Sequence, residues 1–212
     1  MNVKKILSLA ASIIKLFIII LLFTSNSKSE ERNIKYYSED KGILSLMYHR
    51  FDEDKYPSTS IQMDIFKQQI EIIRNLEYNF YDPKNLEENF YTPKVEKKIL
   101  ITIDDAFSSF YEIAWPYLKA EEIPFILFVS TKVVGGNGYM TWDQIRELEK
   151  EKKVYIGNHS HAHSYLVDLK NEEFISDINN SSEIFTQELG YNPIFFFLSF
   201  WRIQCAYQKL YF

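Results

Sequence analysis

The stretch that decides the fold reads Leu100-Ile-Thr-Ile-Asp-Asp-Ala-Phe107. An apolar run rich in β-branched residues ends there in two adjacent carboxylates, Asp104 and Asp105. This pattern predicts a buried strand that carries acidic side chains to one edge of a sheet. Two neighbouring aspartates repel each other, which raises the pKa of one of them or calls for a shared cation. The alternative is that one aspartate only caps a helix beginning near residue 107 or 108.

Similar strands lie on either side of this stretch in the chain. Continuous apolar runs at residues 43–48, 125–129 and 154–157 predict further buried strands, and segments of helical periodicity separate them. Alternating strands and helices imply a parallel sheet, either a closed barrel or an open doubly wound sheet. Both architectures place active sites at the carboxyl ends of the strands. His49, His159 and the aspartate pair all follow strand ends.

Two helices carry clear terminal signals. Thr141 followed by Gln144 predicts a capping box at the start of a helix that ends near Glu151. Residues 171–189 form a long amphipathic pattern, which Gly190 closes as a C-cap. These signals predict two of the helices that connect the strands.

Three of the four histidines lie within five residues, at His159, His161 and His163. His159 and His163 converge on one ion if this turn is helical, whereas all three share a face if it is extended, and spacing alone leaves both geometries open. His159 and His163 together with Asp105 supply two imidazoles and a carboxylate, with coordination positions left for water and substrate. Such a site suits hydrolysis of an amide or ester, with Asp104 free to take a proton from water.

The chain resembles the polysaccharide deacetylases of the NodB-homology type, carbohydrate esterase family 4. Residues 102–105, Thr-Ile-Asp-Asp, match the first motif of that family, and residues 159–163, His-Ser-His-Ala-His, match the second. The order, the strand contexts and the separation of about 50 residues also agree. The resemblance spans residues 43–196 and implies a distorted (β/α) barrel.

Further implications follow from the same resemblance. It makes Asp104 the general base, and Asp105, His159 and His163 the ligands of a divalent metal, zinc above all; His161 falls on a variable position. His49 and Arg50 resemble a Tyr-His-Arg segment and are expected to bind substrate, the alternative being a salt-bridged strand end. The implied reaction is removal of N-acetyl or O-acetyl groups from a GlcNAc-containing polysaccharide. Removal of an N-acetyl group hydrolyses a carbon-nitrogen bond that is not a peptide bond.

The third motif of the family is absent after Gly190, and no histidine follows His163 to protonate a leaving amine. Read one nucleotide out of step, permitted codons from Phe196 onward spell Phe-Ser-Tyr-Pro-Phe-Gly-Glu-Tyr-Ser, the string the family expects here. We therefore expect a partial deacetylase domain over residues 42–197 and an out-of-frame tail over residues 198–212, so that the barrel is incomplete and the chain binds metal but turns over poorly or not at all. The alternative is a natural short tail that packs as a last strand.

The first 29 residues predict export. Lys4 and Lys5 precede an apolar stretch at residues 6–23 and then a small polar run, which is the order of a secretory signal peptide. Because Lys15 interrupts a stretch nearly long enough to span a bilayer, an uncleaved membrane anchor is the alternative. Both readings predict a protein of the periplasm, the cell envelope or the secreted fraction, with a linker over residues 30–41.

Composition narrows the function classes. The 46% hydrophobic content is ample for the core of one domain, and the single cysteine rules out an internal disulfide. A net charge of -5 with no basic stripe argues against nucleic acid as a partner and suits an acetylated polysaccharide. The main alternative to an enzyme is a non-catalytic, envelope-surface glycan-binding protein, and a membrane-anchored scaffold with chance motifs is a third reading.

Overall fold

The structure is a computed structural model that describes residues 42–86 and 96–198. The predicted leader and linker, and the predicted tail from residue 199 onward, lie outside the described residues. Within the described ranges, no helix combines the length and the apolar character needed to cross a membrane.

A curled parallel sheet organises the described chain as a half-barrel. Its neighbouring strands run in the order β1-β5-β6-β7-β8, β4 pairs with the start of β5, and β2 and β3 form a separate pair. The strands are β1 (Leu44–Tyr48), β2 (Arg50–Phe51), β3 (Ser60–Ile61), β4 (Asn79–Phe80), β5 (Lys98–Asp104), β6 (Phe125–Val129), β7 (Val154–Asn158) and β8 (Phe195–Phe196).

The strand order decides between the two predicted architectures. Strands β5 to β8 lie side by side in chain order, and every pair is parallel. A doubly wound sheet reverses its order at a switch point, whereas a barrel does not. The prediction of a (β/α) barrel architecture is therefore confirmed, in the form of a half-barrel.

Four α-helices of the described ranges cover the sheet, together with shorter helical turns. The capping box of Thr141 and Gln144 forms with both of its hydrogen bonds, and Gly190 takes the left-handed conformation with φ of 82° at the end of the longest helix. The helices are α1 (Met63–Asn75), α2 (Trp115–Ala120), α3 (Trp142–Glu149) and α4 (Asn171–Leu189), and 3₁₀ turns lie at Pro83–Asn85 and Leu166–Asp168.

The segment after Asp105 is helical over residues 108–120, which agrees with a helix start near residue 107 or 108. A π-helical turn occupies Phe110–Ala114, and α2 begins at Trp115 with Pro116 in its first turn. Proline has no main-chain N–H to donate, and the π-helical turn directly before it interrupts the regular α-helical hydrogen-bond pattern at this point. The N-cap of the π-helical turn is Ser109 rather than either aspartate. The aspartates are therefore not the N-cap of this helical segment.

The core lies between the sheet and the helices. Every residue of β5 and of β6 is buried, as expected for central parallel strands covered on both faces. Phe125 packs edge-on against Phe110 at 5.3 Å and against Trp115 at 5.7 Å, measured between ring centroids. This packing holds the helical segment against β6, while the parallel pairing of β5, β6 and β7 fixes the spacing of the polar residues at their carboxyl ends.

Candidate metal and catalytic site

The carboxyl ends of β5 and β7 flank the end of β6 and bring the two predicted motifs together. Asp104 lies opposite Phe128 in the register, and the N–H of Asp105 donates to the carbonyl of Phe128 at 2.9 Å. On the other side of β6, the N–H of His159 donates to the carbonyl of Val129 at 3.0 Å. The main chain of β6 therefore sets the distance between the aspartates and the histidines.

Asp105, His159 and His163 form one cluster of ligand atoms. Oδ1 of Asp105 lies 3.2 Å from Nε2 of His163 and 3.8 Å from Nε2 of His159, and the two Nε2 atoms are 3.2 Å apart. Each of the three residues offers one donor atom within 4.8 Å of the other two. The structure thus brings together the three residues predicted as metal ligands.

These distances fit a small divalent cation. Ligand atoms about 2.0–2.1 Å from a tetrahedral zinc ion are roughly 3.3 Å from one another. Nδ1 of His159 lies 2.8 Å from the carbonyl oxygen of Phe197, which only accepts hydrogen bonds. Nδ1 therefore carries the proton, and the lone pair of Nε2 faces Asp105 and His163. A hydrogen bond of this kind at the far nitrogen is the usual means of orienting a metal-binding imidazole.

Asp104 lies beside the cluster and is almost completely buried, with 1% of its surface exposed. Its Oδ2 is 3.9 Å from Nε2 of His159, while its Oδ1 has no hydrogen-bond partner among the described residues. Burial, assisted by the charge of Asp105, raises the pKa of Asp104 to about 8. A divalent cation in the cluster would favour the ionised form of the Asp104 carboxylate. A buried aspartate beside two histidines and a second aspartate is therefore consistent with a cation at this position.

His159 also has a shifted pKa. Burial lowers the pKa of His159 to about 4, although the hydrogen bond to the Phe197 carbonyl opposes the effect. Because the pKa stays low, the imidazole of His159 is neutral near pH 7. The neutral imidazole is the form that binds a metal ion, here through Nε2.

The histidine loop, residues 159–163, is neither helical nor extended. The structure therefore has neither of the two geometries that the spacing left open. Ser160 and His163 have positive φ angles of 70° and 53°, and Asp105 and Ala106 on the facing loop have φ of 70° and 55°. Non-glycine residues rarely adopt this region, and such strain concentrates at functional sites. The left-handed turns, rather than a turn of α-helix, bring the imidazoles of His159 and His163 together.

The remaining predicted residues lie around the cluster. Nδ1 of His161 is 2.9 Å from the hydroxyl of Thr131, and His161 is not part of the ligand group. Burial lowers the pKa of His49. The charge of Asp105 opposes this effect, and the charge of His163 adds to it.

Arg50 forms the salt bridge of the alternative reading. Its Nη1 lies 2.8 Å from Oε2 of Glu53. Its guanidinium carbon lies 3.5 Å from the ring centroid of Phe107 and 4.0 Å from that of Tyr56. Substrate binding by His49 and Arg50 stays a prediction.

The residues that support the cluster were not predicted from the sequence. Phe197 supplies the carbonyl for His159 and stacks its ring on the imidazole at 5.5 Å. Asp177 and Ser181 of α4 hold the histidine loop and are both buried. A sequence signal for these two existed, because they share the inward spacing of Phe174 and Phe185, where a polar residue needs a partner.

The family comparison covers just over half of the chain. The family described as polysaccharide deacetylase matches residues 92–200, which include both aspartates and all three clustered histidines.

Among curated proteins, the chain is 25% identical over 142 residues to YxkH of Bacillus subtilis, a protein named as a polysaccharide deacetylase; the match covers 66% of this chain and 50% of YxkH. It is 23% identical to the poly-β-1,6-N-acetyl-D-glucosamine N-deacetylase of Staphylococcus aureus, over 74% of this chain and 63% of that protein. The chain thus spans about half to three-fifths of the length of these relatives.

Solved structures show the same fold. IcaB from Ammonifex degensii superposes with a TM-score of 0.73 and 24% identity, over 80% of this chain and 79% of that one. The deacetylase PplD of Streptococcus pyogenes superposes with a TM-score of 0.70 and 21% identity, over 80% and 78%. With the family match across both motifs, the chain belongs to the polysaccharide deacetylase family.

Proposed function

We propose that this chain is a metal-dependent hydrolase that removes N-acetyl groups, or the related O-acetyl groups, from a GlcNAc-containing polysaccharide. The observation that carries the proposal is the convergence of Asp105, His159 and His163 beside the buried, unpartnered oxygen of Asp104. The name of the Staphylococcus aureus relative supports the substrate class, although this chain spans only 63% of that protein.

In this proposal Asp105, His159 and His163 hold a divalent cation. Two imidazole nitrogens and one carboxylate oxygen form a donor set that suits zinc in an open catalytic site. When bound, the ion supplies Lewis-acid activation of the acetyl carbonyl and of the attacking water. The Phe197 carbonyl keeps the proton of His159 on Nδ1, so that Nε2 stays directed into the cluster.

Asp104 is the proposed general base. Its Oδ1 has no competing hydrogen bond among the described residues, so it is free to accept a proton from the attacking water and then to return that proton to the leaving amine or hydroxyl oxygen. His49 is the proposed pocket residue whose electrostatic coupling to Asp105 and His163 supports a position at the site. Arg50 is proposed as its neighbour on the substrate side.

Export is also part of the proposal. The order of charges and apolar residues in residues 1–29 supports delivery to the periplasm, the cell envelope or the secreted fraction. Residues 6–23 would associate with the membrane if the leader is retained. The substrate in that compartment is an acetylated polysaccharide.

Acetate release tests the function. The full chain, first treated with EDTA, is incubated with β-1,6-linked GlcNAc oligomers with and without added zinc. We expect acetate only with zinc, and we expect Asp104→Asn to lower the rate by about 10²–10⁴-fold, the usual contribution of a general base.

Asp168→Asn serves as the control, because Asp168 is an exposed carboxylate elsewhere on the surface. Oligomer binding without acetate release, unchanged in Asp104→Asn, would contradict the proposal in favour of the glycan-binding protein.

A further inference from the structure

Helix α4 holds the histidine loop from outside the metal cluster. Asp177 lies on the inward face of α4 and is 7% exposed. Its Oδ1 accepts the N–H of His161 at 2.8 Å, and its Oδ2 accepts the N–H of Ala162 at 2.9 Å. Both carboxylate oxygens are therefore used by two consecutive main-chain donors of the loop.

These two donors lie between the two strained residues of the loop. Ser160 precedes them with φ of 70°, and His163 follows them with φ of 53°. The left-handed conformation is strained for residues other than glycine. Consecutive N–H groups beside a left-handed residue form a concavity that binds an anion, and hydrogen bonds to a charged acceptor are about twice as strong as neutral ones. The carboxylate of Asp177 thus offsets the strain of the conformation that brings His159 and His163 together.

A neutral link lies one helical turn further along α4. The hydroxyl of Ser181 accepts a hydrogen bond from Nδ2 of Asn158 at 2.9 Å, and Oδ1 of Asn158 accepts the N–H of Ser160 at 2.8 Å. Asn158 is the last residue of β7, so this link joins the strand end and the loop to the same helix face. Asp177 provides the charged part of that support and Ser181 the neutral part.

We propose that Asp177 is a positioning residue for the metal ligands, acting through the main chain of His161 and Ala162 rather than by contact with the ion. The inference rests on the metal site of the proposed function. Asparagine at position 177 would keep the shape but offer one acceptor, and its amide group would face a main-chain N–H. The loop would then lose one hydrogen bond and gain an unsatisfied donor.

Zinc affinity tests the proposal, measured by equilibrium dialysis of the full chain after treatment with EDTA. We expect Asp177→Asn to weaken zinc binding by about 10–100-fold, the range found when outer partners of metal ligands are removed. Glu183→Gln is the matched control, because Glu183 is an exposed carboxylate on the same helix, and we expect its affinity to equal that of the parent.

The outcomes separate this proposal from the proposed function. Parent protein that binds no zinc overturns the metal site itself. Parent that binds zinc, with Asp177→Asn binding it equally well, overturns only the role of Asp177, even if thermal unfolding shows a lower midpoint. If circular dichroism shows that Asp177→Asn is unfolded, Asp177→Glu replaces it; its longer side chain displaces the carboxylate, and unchanged zinc affinity there also overturns the proposal.

Discussion

Replacement of Asp104 by asparagine is expected to remove one source of the pH dependence of stability in the metal-free protein, so that the stability difference from the parent changes sign with pH. The pKa of Asp104 is about 8 in the folded chain, against an ordinary value of 3.8. Between these values the unfolded chain has released the proton while the folded chain still holds it. Since the folded state binds more protons across this window, the stability of the parent falls as the pH rises.

The magnitude follows from the size of that window. One pKa unit corresponds to 1.36 kcal/mol, so about four units give a loss of roughly 5 kcal/mol between pH 4 and pH 8. The asparagine side chain does not titrate, but its amide in a buried position without a partner costs about 1–3 kcal/mol at every pH. We therefore expect Asp104→Asn to be less stable than the parent near pH 4 and more stable near pH 8.

Urea unfolding of EDTA-treated protein at several pH values measures this difference. Asp168→Asn, a substitution of the same kind at an exposed carboxylate, is the control. A pH-independent difference between Asp104→Asn and the parent would refute the reasoning, since burial beside Asp105 would then not raise the pKa of Asp104.

Three further substitutions test the packing and the loop support. Gly157→Ala would push a Cβ into the ring of Phe128, and we expect urea unfolding to show a loss of about 1–3 kcal/mol in the free energy of unfolding. The loss should be smaller when Phe128 is replaced by leucine. It should be absent in Gly42→Ala, because no atom lies within 4 Å of a Cβ there. Thr141→Ala removes the capping box of α3 and should lower the free energy of unfolding by about 1 kcal/mol while leaving zinc affinity unchanged. Phe197→Ala removes the ring that stacks on His159 but keeps the carbonyl that orients it, so thermal unfolding should show lower stability and dialysis should show zinc affinity within a few-fold of the parent; a complete loss of binding would contradict the orienting role of the main chain.

The fold could be predicted from the sequence where local signals agree with the tertiary structure. The run ending at Asp104 is a fully buried strand, and the helix at Asn171–Leu189 ends at Gly190 as its pattern indicates. The choice between barrel and doubly wound sheet could not be made from the strand pattern alone. Strand order is a long-range property, and both architectures have the same alternation of strands and helices.

The site was predictable in its composition but not in its geometry. Carboxylates and imidazoles at strand ends predicted that Asp105 and the histidines lie together, because parallel strands bring their carboxyl ends to one edge. The resemblance to the deacetylases then selected His159 and His163 from the three histidines. The left-handed turns at Ser160 and His163 were not predictable, since neither residue favours that conformation locally. They form because main-chain donors of the loop reach Asp177, a contact between segments distant in the chain.

The metal content of histidine variants tests the central claim most directly. The full chain and its His159→Ala, His163→Ala and His161→Ala variants are dialysed against the same zinc buffer, and bound zinc is measured per chain. We expect about one ion for the parent and for His161→Ala, whose imidazole lies outside the cluster, and a loss of bound zinc in the other two variants. Equal zinc content in all four proteins would contradict the assignment of His159 and His163 as metal ligands.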